Sequence, residues 1–235
     1  DGYEKLGRKF LFLYLGITLG SMFFVTAAVG FVTAGFFENL FQIEFLGMWT
    51  MVILFAVCGF ILCVGKFGTL DGIIKIIGFV LIISTAVAFI LAFVNGPVEP
   101  SENFLPRELW DDSGIFFLIA LMGWMPTAID LSSWNSLWTI ARIKQTGYRP
   151  KLKETLTEFR IGYFITSLLA IFFLGLGTLV FFGSGDSLPN NNSLFAHKIV
   201  TMFANTIGQW SYIIIAASAF SVMFGTILAV FDGYS

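Results

Sequence analysis

Six apolar runs, at residues 10–37, 46–64, 73–94, 114–140, 161–182 and 212–231, divide this chain, and each meets or approaches the ~20 residues that a helix needs to cross a bilayer. With no water in the hydrocarbon to satisfy the backbone, such segments fold as helices. The expected class is therefore all-α, a polytopic membrane helix bundle forming a single transmembrane domain over residues 1–235. Composition agrees: 57% of residues are hydrophobic, only 12% are charged, and the mean hydropathy is +0.87. A net charge of −2, with no concentrated basic surface outside residues 141–160, gives no reason to expect a nucleic-acid partner.

The connections are short or rich in turn residues. Gly16, Gly20, Ala27, Gly30 and Ala34 recur at helical spacing in the first run, a stripe that favours close packing against a neighbouring helix. Glu38 and Glu44 are placed in the first turnaround, and the second and third runs read as a helical hairpin. Residues 95–113 form a loop rich in Pro and acid, with Trp110 at the interface, and residues 141–160 a basic cytoplasmic loop. The stretch GSGDSLPNNNS is read as irregular, and the lone His197 after it as an ordinary loop residue. Asn191-Asn192-Ser193 is a formal glycosylation acceptor of little weight. Cys58 and Cys63, five residues apart in one run, imply neither a disulfide nor a zinc site. The chain opens on Asp1 and closes on Ser235 without an initiator Met, and is expected to be an internal piece of a longer protein.

Charge sets an expected orientation. Eleven Lys and Arg fall on one side (Lys5, Arg8, Lys9, Lys66, Lys75, Arg142, Lys144, Arg149, Lys151, Lys153 and Arg160) and two, Arg107 and Lys198, on the other. Positive residues favour the cytoplasmic side, so both ends of the chain are expected inside.

The run at 114–140, GIFFLIALMGWMPTAIDLSSWNSLWTI, differs from the others in carrying Pro126 and Asp130 near its middle. Proline removes a backbone donor, so the carbonyl of Met122, four residues earlier, has no helical partner. An unwound stretch over Gly123–Pro126 leaves carbonyls near Met122, which attract cations, and free N–H groups near Thr127. Met125 adds a thioether, a soft ligand suited to transition metals, whereas Mg²⁺ and Ca²⁺ want oxygen. Asp130 lies one turn beyond the proline, and Thr127, Ser133 and Ser136 continue a polar face that fits an exit path. A carboxylate at membrane depth is costly and usually faces a bundle interior or water. Each feature has a plainer reading when taken singly: core filling for Met125, a packing kink for Pro126.

At these residues the segment resembles the sixth transmembrane helix of the Nramp family of divalent metal transporters. GWMPTAIDLSSWNSLWTIAR, the basic loop before Ile161, and VMFGTILAVFDGYS are all similar to their counterparts in the family's more divergent bacterial branch. On that resemblance the six runs correspond to the family's third to eighth helices, part of a LeuT-like inverted-repeat fold with one Pro-broken helix here, in a bacterial inner (plasma) membrane. The family holds its metal with an Asp and an Asn from the first helix, which is not in this chain, and with a carbonyl and a Met from the sixth. Carried over, these are the carbonyl of Met122 and the sulfur of Met125. The departures are specific. Where the family has Met-Pro-His-Asn-Leu-Tyr-Leu-His, this chain runs from Met125 and Pro126 through Thr127, Ala128, Ile129, Asp130 and Leu131 to Ser132, losing both histidines and gaining an Asp. The acidic pair of the family's third helix is also missing, since residues 21–35 contain no carboxylate. Metal binding is expected to survive with proton coupling altered or absent.

The expected metal-site residues are thus Met122, Met125, Thr127 and Asp130, and the expected function is secondary transport of a divalent cation (Mn/Fe-like) by alternating access. The metal is cargo, so no resident cofactor is expected, and the partners are the cation and the lipid bilayer. The alternatives within transport are an Nramp-related magnesium transporter and an organic-substrate symporter of the same fold, both disfavoured by Met125. A membrane-embedded hydrolase lacks clustered His or paired carboxylates in the runs. A purely structural subunit is the remaining reading.

Overall fold

A computed structural model describes residues 2–43, 47–64, 67–99, 110–124, 129–183 and 191–234. Every regular element among them is helical. In chain order they are α1 (Gly2–Leu6), α2 (Arg8–Phe41), α3 (Met48–Val64), α4 (Phe67–Asn95), α5 (Asp112–Trp124), a 3₁₀ turn (Ile129–Ser133), α6 (Trp134–Thr146), α7 (Leu152–Leu176) continued by a π turn (Gly177–Phe181), α8 (Asn192–Ile207), a 3₁₀ turn (Gln209–Ser211) and α9 (Tyr212–Tyr234). Four of these stretches are long and apolar enough to cross a membrane: Arg8–Phe41, Gly78–Asn95, Leu152–Phe181 and Gln209–Tyr234. Two more, Met48–Cys63 and Asp112–Gly123, are apolar but shorter. The protein is membrane-embedded and all-α.

Helices extend further than the apolar runs suggest, because polar ends are capped rather than unravelled. Residues 141–160 are mostly helical: α6 closes on Gly147, whose left-handed φ of 71° lets its N–H reach the carbonyl of Ile143 at 2.9 Å. After Pro150, Glu154 in the first turn of α7 accepts the N–H of Lys151 at 2.9 Å and the hydroxyl of Tyr148 at 2.8 Å, a capping-box arrangement. That hydrogen bond and the adjacent negative charge hold the Tyr148 phenol above its ordinary pKa. Asp111 caps α5 through Gly114 N at 2.7 Å. Residues 184–190 lie outside the described residues, but α8 begins directly after them, headed by Asn191, whose Oδ1 accepts from the N–H groups of Ser193 and Leu194 at 3.0 and 3.1 Å. The asparagine that formally opens a glycosylation site is a helix cap.

The chain forms two compact units. One comprises Asp1–Val25 and Leu105–Glu158, the other Thr26–Phe104 and Phe159–Ser235. In the second, α9 packs against α3, α4 and α8 around a core of Phe36, Ala88, Leu176, Val200, Phe203 and Ile215. Small residues set the closest approaches. A Cβ on Gly35 would fall 2.4 Å from the carbonyl oxygen of Asn192, and one on Gly30 would fall 2.5 Å from the Phe55 ring. Ala34 is buried beside them. The small-residue stripe thus packs at its Gly30–Gly35 end, whereas Gly16 and Gly20 meet no atom within 4 Å among the described residues. At the end of α7 the ladder widens, with Phe182 N bonded to Gly177 O at 2.9 Å, and the carbonyl of Leu179 accepts Val98 N at 2.9 Å.

Candidate functional site

The run at 114–140 is not described as one continuous α-helix. α5 is described as far as Trp124; Met125, Pro126, Thr127 and Ala128 lie outside the described residues, and the next described element is the 3₁₀ turn before α6. Of the four expected metal-site residues, Met125 and Thr127 therefore fall outside what the structure describes. Met122 sits in the last described turn of α5, four residues before Pro126, which has no N–H to give its carbonyl, and its side chain is 77% exposed. Asp130 belongs to the 3₁₀ turn, though its side chain lies outside the described residues. Beyond it, Ser132 and Ser133 are hydrogen-bonded to Tyr3 and Tyr14, Ser136 is exposed, and Trp134 is 3% exposed with Trp138 edge-on at 5.7 Å. Among the described residues no group of three or more His, Cys, Asp or Glu is placed to hold a metal.

A second polar cluster, which reading the sequence missed, lies in the unit built from Thr26–Phe104 and Phe159–Ser235. Glu38 is not in a turnaround: α2 continues to Phe41, and the Glu38 carboxylate is buried at 9% exposure and accepts from Thr50 Oγ1 at 2.6 Å. Glu44 lies outside the described residues. The neighbouring Asn39, at 3% exposure, turns to α8 and α9. Its Oδ1 is 2.8 Å from Tyr212 Oη and 3.1 Å from His197 Nδ1, and those two atoms are themselves 2.8 Å apart. His197 is thus no loop residue but part of α8, on its exposed side.

Counting protons assigns the ring. The amide oxygen brings none to the triangle and the phenol brings one. With Nδ1 bare, the single phenol proton would be shared between two acceptors, Asn39 Oδ1 and Nδ1; with Nδ1–H, two protons make two good bonds. The arrangement selects the Nδ1–H form and leaves Nε2 facing outward, 3.5 Å from Thr201 Oγ1 one turn along. Asn39 Nδ2 is buried without a protein partner among the described residues. One signal could have revealed the cluster: Asn191, Asn192 and Ser193 form a helix start, which puts His197 and Thr201 one turn apart on a helix.

A protein of Pasteurella multocida (strain Pm70), described as "Uncharacterized protein PM0681", is 32% identical to this chain over 239 aligned residues, covering 100% of the chain and 54% of that protein. The chain therefore spans about half the length of this relative. No protein-family model and no solved structure matches the chain.

Proposed function

We propose that this chain is part of a secondary transporter that moves soft divalent metal cations, of the Mn²⁺ and Fe²⁺ kind, across a bacterial inner membrane by alternating access. The observation that carries the reading is the make-up of the apolar segment 114–140, which places a proline, a thioether and, just after, a carboxylate near its middle. Pro126 has no N–H for the Met122 carbonyl, the Met122 oxygen and the Met125 sulfur give a mixed hard and soft donor set, and Asp130 supplies compensating charge one turn away. No bond is made or broken in the cargo, so no acid, base or cofactor is required. Further ligands belong to segments outside this chain. A chain whose apolar helices resemble the family's third to eighth spans, with the cytoplasm on the side of its eleven basic residues, fits this role.

Met125→Ala in the full-length protein tests it. Uptake of Mn²⁺ or Cd²⁺ into proteoliposomes should fall by about tenfold or more, the scale on which a lost metal-supporting group acts, while any Mg²⁺ or Ca²⁺ uptake changes little. Equal fractional losses for soft and hard ions, at normal expression, would remove Met125 as a ligand and favour a hard-cation carrier.

A further inference from the structure

The connection between α6 and α7 is an ordered corner and not a slack loop. Thr146, in the last turn of α6, donates its hydroxyl to the carbonyl of Arg142 at 2.8 Å, Gly147 turns the chain out of the helix, and one carboxylate oxygen of Glu154 accepts both the N–H of Lys151 and the hydroxyl of Tyr148. Residues 141–153 carry five basic side chains, Arg142, Lys144, Arg149, Lys151 and Lys153, and no acidic one. All five are exposed, and among the described residues none has an ion-pair partner. Like charges gathered on an ordered stretch of chain repel one another, and the repulsion is relieved when anions settle among them.

Apolar side chains are interleaved with these bases. Tyr148, next to Arg149, is 60% exposed, and Leu152, between Lys151 and Lys153, is 75% exposed. Leu156, one turn further along α7, is exposed as well. An acidic partner in water would meet the charges and leave these side chains bare, whereas a membrane surface offers phosphates and acyl chains together. The stems of Lys and Arg are long enough to reach from one to the other. The length of α7 puts the corner at that level. Residues 161–181, which complete the candidate span Leu152–Phe181, contain no charged residue and at about 1.5 Å per residue cover ~32 Å, close to the ~30 Å of the hydrocarbon. The charged first turns of α7, from Leu152 to Arg160, therefore stand among the headgroups, and the corner adjoins them.

We propose that the corner between α6 and α7 is a docking surface for anionic lipid headgroups of the adjoining leaflet, the cytoplasmic one by charge. Lipid phosphates take the place of the missing counter-ions of the five bases, while Tyr148 and Leu152 enter the boundary between headgroup and acyl chain. The inference needs a membrane-embedded chain and not the transport reading, so it stands or falls separately from that reading.

The test compares two lipids around one labelled position. The full-length protein, made cysteine-free, receives a donor fluorophore on a cysteine introduced at Thr157, an exposed position of α7, and is placed in phosphatidylcholine nanodiscs. These contain a small fraction of either phosphatidylglycerol or phosphatidylcholine with an acceptor on its acyl chain. Energy transfer should report phosphatidylglycerol enriched about fivefold or more over phosphatidylcholine, the factor that one basic residue near an anionic surface contributes, and the enrichment should shrink as salt screens the surface. Exchanging Arg149, Lys151 and Lys153 together for Gln should bring the ratio to within about twofold of one. Arg149→Lys, Lys151→Arg and Lys153→Arg, made together, keep the charge and should keep the enrichment. A donor at Asn205, exposed on α8, should show no preference. The proposal is overturned by a parent without preference, by equal preference at position 205, or by an undiminished ratio in the Gln variant. A preference that inorganic phosphate abolishes at an ionic strength where chloride leaves it intact would assign the corner to free phosphate, and a parent that ignores phosphatidylglycerol but binds heparin would assign it to a partner in water; either result overturns the lipid surface.

Discussion

Thr50 Oγ1 donates to Glu38 Oε1 across 2.6 Å, and both side chains are buried, at 1% and 9% exposure. A carboxylate in apolar packing depends on each donor it has, and removing a donor costs more than the bond itself because the acceptor is left dry. Thr50→Val, close to isosteric, is therefore expected to lower the unfolding free energy by about 1–3 kcal/mol. Glu38→Gln, which keeps an oxygen for Thr50, should cost less. Thermal unfolding of the full-length protein in detergent measures both. A Thr50→Val variant as stable as its parent would show that the bond carries no net stability.

The triangle of Asn39, Tyr212 and His197 fixes a tautomer, and a tautomer has a spectroscopic signature. In protein labelled with ¹⁵N-histidine, at a pH where the ring is neutral, Nε2 should carry the shift of a bare nitrogen and Nδ1 that of a protonated one. Asn39→Leu should return His197 to the tautomer mixture of an unconstrained imidazole. Finding Nε2 protonated and Nδ1 bare in the parent would contradict the proton count.

Orientation is open to a two-position measurement. Cysteines introduced singly at Lys151 and Lys198 should react with an impermeant reagent from opposite sides, position 151 from the cytoplasm and position 198 from outside, because eleven of the thirteen basic residues share the side of Lys151. Labelling of position 151 from outside in intact cells would invert the arrangement.

Asp130→Asn keeps the shape of the side chain and removes its charge and its proton. If the carboxylate serves the cation or titrates during the cycle, uptake should fall at least about tenfold, the lower end of what loss of a group supporting a metal site costs, and any metal-driven proton flux should vanish with it. Parental uptake by the Asn variant across the pH range would make Asp130 a bystander near cytoplasmic water.

The helices longest in the sequence were the easiest to read, since spanning hydrocarbon imposes a length and an apolar character that little else produces. What stayed hidden has a common cause. Asn191 and Ser193, expected in an irregular stretch, are a cap and a first turn; Glu154, inside the stretch expected to be a cytoplasmic loop, closes the start of α7; Glu38, expected in a turnaround, is carried inside by a helix that continues to Phe41. In each case a polar residue satisfies a backbone group or finds a buried partner, and its polarity alone does not tell that from exposure to water. The break expected at Pro126 falls on residues outside those described. The partners of Ser132 and Ser133 were not legible at all, because Tyr3 and Tyr14 stand more than a hundred residues away and no local pattern links them.

The π turn at Gly177–Phe181 places an unusual demand on heredity. Its i→i+5 bond, Phe182 N to Gly177 O, and its link to the segment after α4, Val98 N to Leu179 O, are made entirely by backbone atoms. Side chains there can drift without breaking either. Deleting a single residue would instead restore an ordinary α-helical register, turn everything after it by about 100°, and carry the Leu179 carbonyl away from Val98. In this stretch what must be inherited is a number of residues and not their kind.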